Sequence, residues 1–332
     1  MSTKPDIKPL KRKAWKYTKK RLPALHDFTF SIQGCKQFFR AWCLTPLSYL
    51  NTLTSHYLLK LLPVDICSAV GGWLGRIVMK YKYPASVANM RQNLSVIHPD
   101  WGAEIIDAVV TKNCENIGRF MAEFSVIHRI CASTNRVTTT NFDNLLQAVE
   151  QGPVILTPLH LGNWEVLSSM AQYDDRGFHT FFLPPDNPAE AWIAQRTRKK
   201  LGANLLPVGM DGVRPALKIL KQGGIVALPC DEGFNGRIRG PFFGRAPHLS
   251  GNTALVTRLA RLSGAKICIV YSERTHGAHF NCHFEPAITL PVQQAGDNTE
   301  SGLINDAVLL NEAIEQIIIR HIDQWYFLPD KL

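Results

Sequence analysis

With 332 residues, 45% of them apolar, the chain is long enough for one large α/β domain or two small ones around a sizeable core, with disorder confined to the ends. Its net charge of +10 is local: residues 1–21 hold nine Lys and Arg against one acid, Asp6, and the remainder carries only +2. That distribution argues against a duplex-binding surface and for a tail that meets anionic headgroups or an acidic protein, the alternative being a solvated, disordered tail with no partner. Eight cysteines without a CxxC pair read as reduced, largely buried small residues.

Residues 1–40 read as a basic, weakly structured leader. Trp15, Tyr17, Phe28, Phe30, Phe38 and Phe39 interleave there with Lys and Arg, as in membrane-interface segments, and no RNP or OB pattern supports a nucleic-acid partner. No secretory signal follows the leader. The most apolar window, 41–62, is interrupted by Pro46, Asn51, His56 and Lys60, so it reads as interfacial or re-entrant rather than spanning. Residues 41–332 are expected to form one domain, with interfacial helices over 41–82.

Helical patterns cover 44–62 and 64–81, divided by Pro63. In the second, Val70, Trp73, Leu74, Ile77 and Tyr81 recur with glycines between them, fitting either a membrane surface or helix packing. Asp100 is placed to cap a long helix over 102–129. Glu115, Arg119 and Glu123 form a stripe on it at i, i+4, i+8, for which surface ion pairs are the default explanation.

From Val137 the pattern alternates. Strands are expected at 137–141, 153–158, 178–183, 204–207 and 224–229, with helices starting near Asp143, Asn163, Pro188 and Asp211. This predicts an α/β fold with a mainly parallel sheet flanked by helices. A Gly- and Arg-rich loop over 230–250, a helix over 252–263, a hairpin of 266–272 with 279–285 on the sheet edge, and an amphipathic helix over 302–323 complete the chain.

The stretch VILTPLHLGNWEVLSSM, 154–170, places His160 in the turn after a buried strand, where open α/β sheets carry chemistry. Gly162 permits close backbone approach, and the N–H groups at Gly162 and Asn163 could face an oxyanion. Glu165 could hold the imidazole tautomer, provided His160 precedes the helix; on a continuous helix the two would lie ~140° apart. The alternative is a satisfied turn histidine, with Glu165 favouring a helix N-terminus. A second constellation follows the 224–229 strand. If the two strands are parallel neighbours, Asp231 emerges beside His160, followed by Arg237, Arg239 and Arg245, which suit phosphates unless they are simply solvated. His276, His279, Cys282 and His283 alternate across a strand and do not converge on a metal. No nucleotide-binding loop or G-x-S-x-G elbow is present.

HLGNWE together with PCDEGFNGRIRGPFFGRA resembles the late lipid A acyltransferases of bacteria, over about 44–325 and in the same motif order. The resemblance implies a glycerolipid acyltransferase-like fold and transfer of a fatty acyl chain from acyl carrier protein to a lipid A precursor. It also implies a His general base paired with an acid, and action at the cytoplasmic face of the bacterial inner membrane. Asn116, Gly118 and Glu123 match an Asn-Gly-Glu helix of that family, which makes Glu123, with Arg119 beside it, a candidate for the substrate site. Two departures stand out. Phe182-Leu183-Pro184 replaces an Arg before Pro, and Trp325-Tyr326-Phe327 lacks the paired arginines that follow that Trp in the family. Both put a bisphosphorylated acceptor in doubt.

The expectation is therefore a membrane-associated O-acyltransferase. His160 deprotonates an acceptor hydroxyl, Glu165 orients it, and the hydroxyl attacks an acyl thioester of acyl carrier protein or coenzyme A; no metal or bound cofactor is required. The rivals are a non-catalytic membrane-binding protein and a thioesterase that uses the same His and Glu to activate water.

Overall fold

A computed structural model describes residues 28–173, 177–292 and 300–332. The basic run over 1–21, including Trp15 and Tyr17, lies outside the described residues. The chain is already helical within the expected leader: α1 (Ile32–Phe39), a π-helical turn (Arg40–Leu44) and α2 (Thr45–Leu61) follow one another without a break. Pro63 then starts α3 (Val64–Lys82) in a new direction. Residues 84–97, for which the sequence suggested no element, form α4 (Pro84–Ile97) with its proline in the first turn.

The expected long helix is two. α5 (Ala103–Glu123) takes Gly102 rather than Asp100 as its N-cap, and a break at Phe124 to Val126 precedes α6 (Ile127–Cys131). Backbone contact explains Gly71 and Gly75 of α3. A Cβ on Gly75 would stand 2.7 Å from the Gly118 Cα, and one on Gly71 2.6 Å from the Gly118 carbonyl, so α3 and α5 meet through their main chains. The opposite face of α3, with Trp73, Leu74, Ile77 and Tyr81, is exposed. Helix packing accounts for the glycine face of that pattern, and its large apolar residues stay on the exposed one.

The mainly parallel sheet is present. β1 (Val137–Thr140), α7 (Phe142–Glu150) and β2 (Val154–Pro158) are followed by a 3-10 helix (Trp164–Tyr173), where a regular helix was expected. Then come β3 (Phe178–Phe182), α8 (Pro188–Lys200), β4 (Asn204–Pro207), α9 (Met210–Lys221) and β5 (Ile225–Ala227). The loop beyond contains a small hairpin, β6 (Gly233–Phe234) with β7 (Arg237–Ile238), and α10 (Asn252–Ser263), β8 (Lys266–His276), β9 (His279–Phe284) and α11 (Glu300–Arg320) close the fold.

Strand order is β1-β9-β8-β2-β5-β3-β4. β8 and β9 pair antiparallel, as a hairpin must, but not at the edge: β8 runs parallel to β2 in the interior, and β1 covers β9 in parallel. The burial of β8 fits that place, since Ile267 to Ser272 are buried without interruption. Among the described residues no helix is long and apolar enough to cross a membrane. The eight cysteines are unpaired, five of them buried but Cys35 and Cys43 exposed.

Candidate active site

β2 and β5 are parallel neighbours in register from Val154 with Ile225 to Leu156 with Ala227, so the turns that follow them leave the same edge of the sheet. This brings His160 and Asp231 together. One carboxylate oxygen of Asp231 lies 2.8 Å from His160 Nδ1, and the other accepts the His160 backbone N–H at 2.8 Å. The second oxygen also accepts the indole N–H of Trp325 at 3.1 Å. Asp231 and Trp325 are fully buried, while the imidazole is 19% exposed. With Asp231 ionised, Nδ1 carries the proton and Nε2 is the free base. The rings of Trp164 and Phe327 pack edge-on against the imidazole, with centroids 4.7 and 4.9 Å away, and hold its plane.

Glu165, the carboxylate expected to orient His160, is bound elsewhere. Arg198 of α8 donates to it from Nε at 3.0 Å and also from Nη2. Glu165 is buried and Arg198 half-buried; burial works against the guanidinium charge, but the adjacent carboxylate holds its pKa above the ordinary value. α8 is fixed where it can reach by Asn187, whose side chain accepts the N–H groups of Ala189 and Glu190, and by Pro188 in the first turn.

Gly162 has φ +57°, and a Cβ there would stand 2.5 Å from the Ser272 carbonyl, so the turn requires glycine. Its N–H, an expected oxyanion donor, donates to the Gln324 carbonyl at 3.3 Å. Asn163 is buried. Its amide donates to Glu123 at 2.9 Å and its oxygen accepts the Glu165 N–H at 3.3 Å. Glu123 is fully buried too, paired with Arg274 of β8 and accepting the Ser68 hydroxyl at 2.6 Å. Glu123 therefore joins α3, α5 and β8 to the His160 turn through Asn163, and does not line the cavity described below. Arg119 pairs with Glu115 at 2.7 Å and donates to Ser68 at 2.9 Å, one contact further out.

The arginines after Asp231 lie outside this site. Arg245 is spent on the carbonyls of Ile238, Gly240 and Phe242, which brace the hairpin loop. Arg237 and Arg239 are exposed, Arg239 over the Phe234 ring. Glu232, next to Asp231, is enclosed: one oxygen accepts the Asn252 N–H at 3.0 Å and the other is buried without a partner. Burial, reinforced by the Asp231 charge, pushes its pKa up to about 8. At neutral pH Glu232 therefore keeps its proton.

His160, Glu165 and Arg198 border a cavity of about 510 Å³ that runs under α7 across one face of the sheet, from Phe284 of β9 to Phe178 of β3. Its other walls are mainly apolar, among them Leu145, Val149, Leu156 and Val270, and its size suits a small lipid or an acyl chain. Among the described residues no group of three or more His, Cys, Asp or Glu side chains could hold a metal ion. His283 pairs with Glu273 at 2.8 Å, and His276 stacks on His279.

Sequence reasoning missed Arg198 and Trp325. Neither lies near the His160 turn in sequence; only α8 reaching back and the C-terminal segment closing under the turn bring them in. Asparagines hold that segment: Asn93 donates to the Leu328 and Asp330 carbonyls, Asn113 to Trp325, and Asn116 to Asp323 at 2.9 Å.

Residues 47–332 match the family model described as bacterial lipid A biosynthesis acyltransferase. No curated protein matches the chain. Among solved structures, similarity extends to the 1-acyl-sn-glycerophosphate (LPA) acyltransferase PlsC from Thermotoga maritima, at 11% identity and a TM-score of 0.33, covering 76% of this chain and 97% of that one.

Proposed function

Since the chain belongs to the bacterial lipid A biosynthesis acyltransferase family, we propose that it transfers a fatty acyl chain from an acyl thioester to a hydroxyl of a lipid or glycolipid at a membrane surface. The observation that carries this reading is the juxtaposition of the His160–Asp231 pair with the apolar cavity. His160 Nε2 takes the proton of the acceptor hydroxyl as its oxygen attacks the thioester carbonyl. Asp231 holds Nδ1–H and stabilises the imidazolium. The C–S bond then breaks, and the departing thiolate recovers the proton from Nε2. The acyl chain lies in the cavity, which keeps water from the thioester.

Trp164 and Phe327 crowd the imidazole, Tyr326 packs against both of those rings, and the Phe182 ring lies 5.3 Å from the Arg198 guanidinium. The two departures from the family pattern thus fall beside the site, and aromatic surface there favours an acceptor with fewer phosphates than a bisphosphorylated lipid A precursor. Membrane attachment is supported by an apolar surface: Leu47, Leu50 and Leu61 on α2 and Trp73 and Tyr81 on α3 are all exposed. Lys80 and Lys82 sit over the rings of Tyr81 and Tyr83, an arrangement suited to the headgroup layer.

The test is a reaction of the purified protein with acyl carrier protein and coenzyme A thioesters, in the presence of lipid acceptors with and without phosphate. Thiol release matched by acylated lipid is expected. Thiol release matched by free fatty acid would indicate a thioesterase and overturn the transferase reading.

A further inference from the structure

A second cavity, of about 280 Å³, lies where the ends of α2 and α8 meet the turn into α6. It is lined by Lys60, Ser125, Val126, His128, Arg129 and Lys200, none of which borders the catalytic cavity. No carboxylate is in its wall, and among the described residues neither Lys60 nor Lys200 is paired with an acid. His56, one helical turn before Lys60, shares a hydrogen bond with the Ser125 hydroxyl at 3.1 Å. Arg129 is held in place by donating to the Lys60 and Leu62 carbonyls at 2.8 and 2.7 Å.

Each lysine alone has an ordinary explanation, since Lys60 and Lys200 both occupy the last turn of a helix, where the dipole favours a cation. The dipole does not explain why three elements deliver three cations, an imidazole and a hydroxyl to one hollow at the surface without an acid among them. Burial and then Lys200, Lys60 and His56 lower the pKa of His128, and burial followed by Lys60 lowers that of His56.

We propose that this cavity binds a phosphate group, with Lys60, Arg129 and Lys200 supplying the charge and Ser125 and His128 supplying further donors. Leu58, Leu61 and Ile66 are exposed on the adjoining stretches of α2 and α3. The phosphate can therefore come from the headgroup of an anionic lipid as well as from a free phosphate. The site is separate from the His160 cavity, and the proposal does not depend on the reaction assigned there.

The experiment compares the full-length protein with K60A/K200A and with K218A/K221A, which removes the same charge from exposed positions on α9. Inorganic phosphate is titrated at constant ionic strength by calorimetry, and vesicles of phosphatidylglycerol or of phosphatidylcholine alone are tested by flotation. For whichever source is bound, K60A/K200A should bind at least about tenfold more weakly than wild type and K218A/K221A should not. Weakened binding to phosphatidylglycerol vesicles alone assigns a lipid headgroup, and weakened binding to inorganic phosphate assigns a free phosphate. If the two double variants behave alike in both arms, the proposal is overturned.

Discussion

Asp231 holds His160 by two bonds, one to the ring at Nδ1 and one to the backbone N–H, each 2.8 Å long. A carboxylate bound in this way fixes the imidazole and its tautomer together, and Trp325 in turn fixes the carboxylate. Asp231→Asn should therefore lower kcat by about 10²–10⁴-fold with little change in KM, while Trp325→Phe, which removes one hydrogen bond to Asp231, should cost about tenfold. Steady-state kinetics on both variants checks this. A fully active Asp231→Asn beside an inactive Glu165→Gln would return the orienting role to Glu165.

The Glu165–Arg198 pair predicts a stability pattern. Arg198→Met leaves a carboxylate that is 2% exposed without its partner, at a cost of about 3 kcal/mol, reduced from the fully buried case because Arg198 itself keeps some contact with water. In urea denaturation the double variant Glu165→Gln/Arg198→Met should be more stable than Arg198→Met alone.

Glu123 is the most enclosed acid of the helical layer, and its partners are Arg274, Ser68 and Asn163. Replacing it with Gln leaves Arg274, whose side chain is 3% exposed, as an uncompensated charge. A loss of about 3–5 kcal/mol is expected by chemical denaturation.

Glu232 gives a pH dependence of known sign. Its pKa rises on folding from the usual carboxylate range to about 8, so the folded state keeps a proton that the unfolded state releases. The resulting contribution to stability is complete below the unfolded pKa and is lost as pH rises through about 8. Melting curves from pH 5 to 9 should show a decline that Glu232→Gln removes.

The cavity predicts chain-length selection. Leu156→Trp adds bulk to its wall, so competition between thioesters of different length should shift toward shorter chains. An unchanged preference would place the acyl chain elsewhere.

The alternation after Val137 made the sheet legible, because parallel strands buried on both faces read as short apolar runs. It also placed His160 and Asp231 on one edge before any contact was known. Which acid serves the histidine was not legible: Glu165 is nearer in sequence, but Arg198, 33 residues downstream, binds it. Arg237, Arg239 and Arg245 carried a phosphate-like signal by composition alone, and Arg245 in fact satisfies loop carbonyls. α4 was overlooked because its polar residues, notably Asn89 and Asn93, face the C-terminal segment, so its pattern was less apolar than that of a core helix.

The most direct test of His160-dependent acyl transfer is a lipid mass-spectrometry profile of cells expressing the wild-type protein beside cells expressing folded His160→Ala. A lipid heavier by one acyl group in the wild type alone is the expected result, and its mass identifies the acceptor. The same acylated lipid in both profiles would contradict a role for His160 as the base, and its absence from both, with acceptor present and folding verified, would contradict the transfer itself.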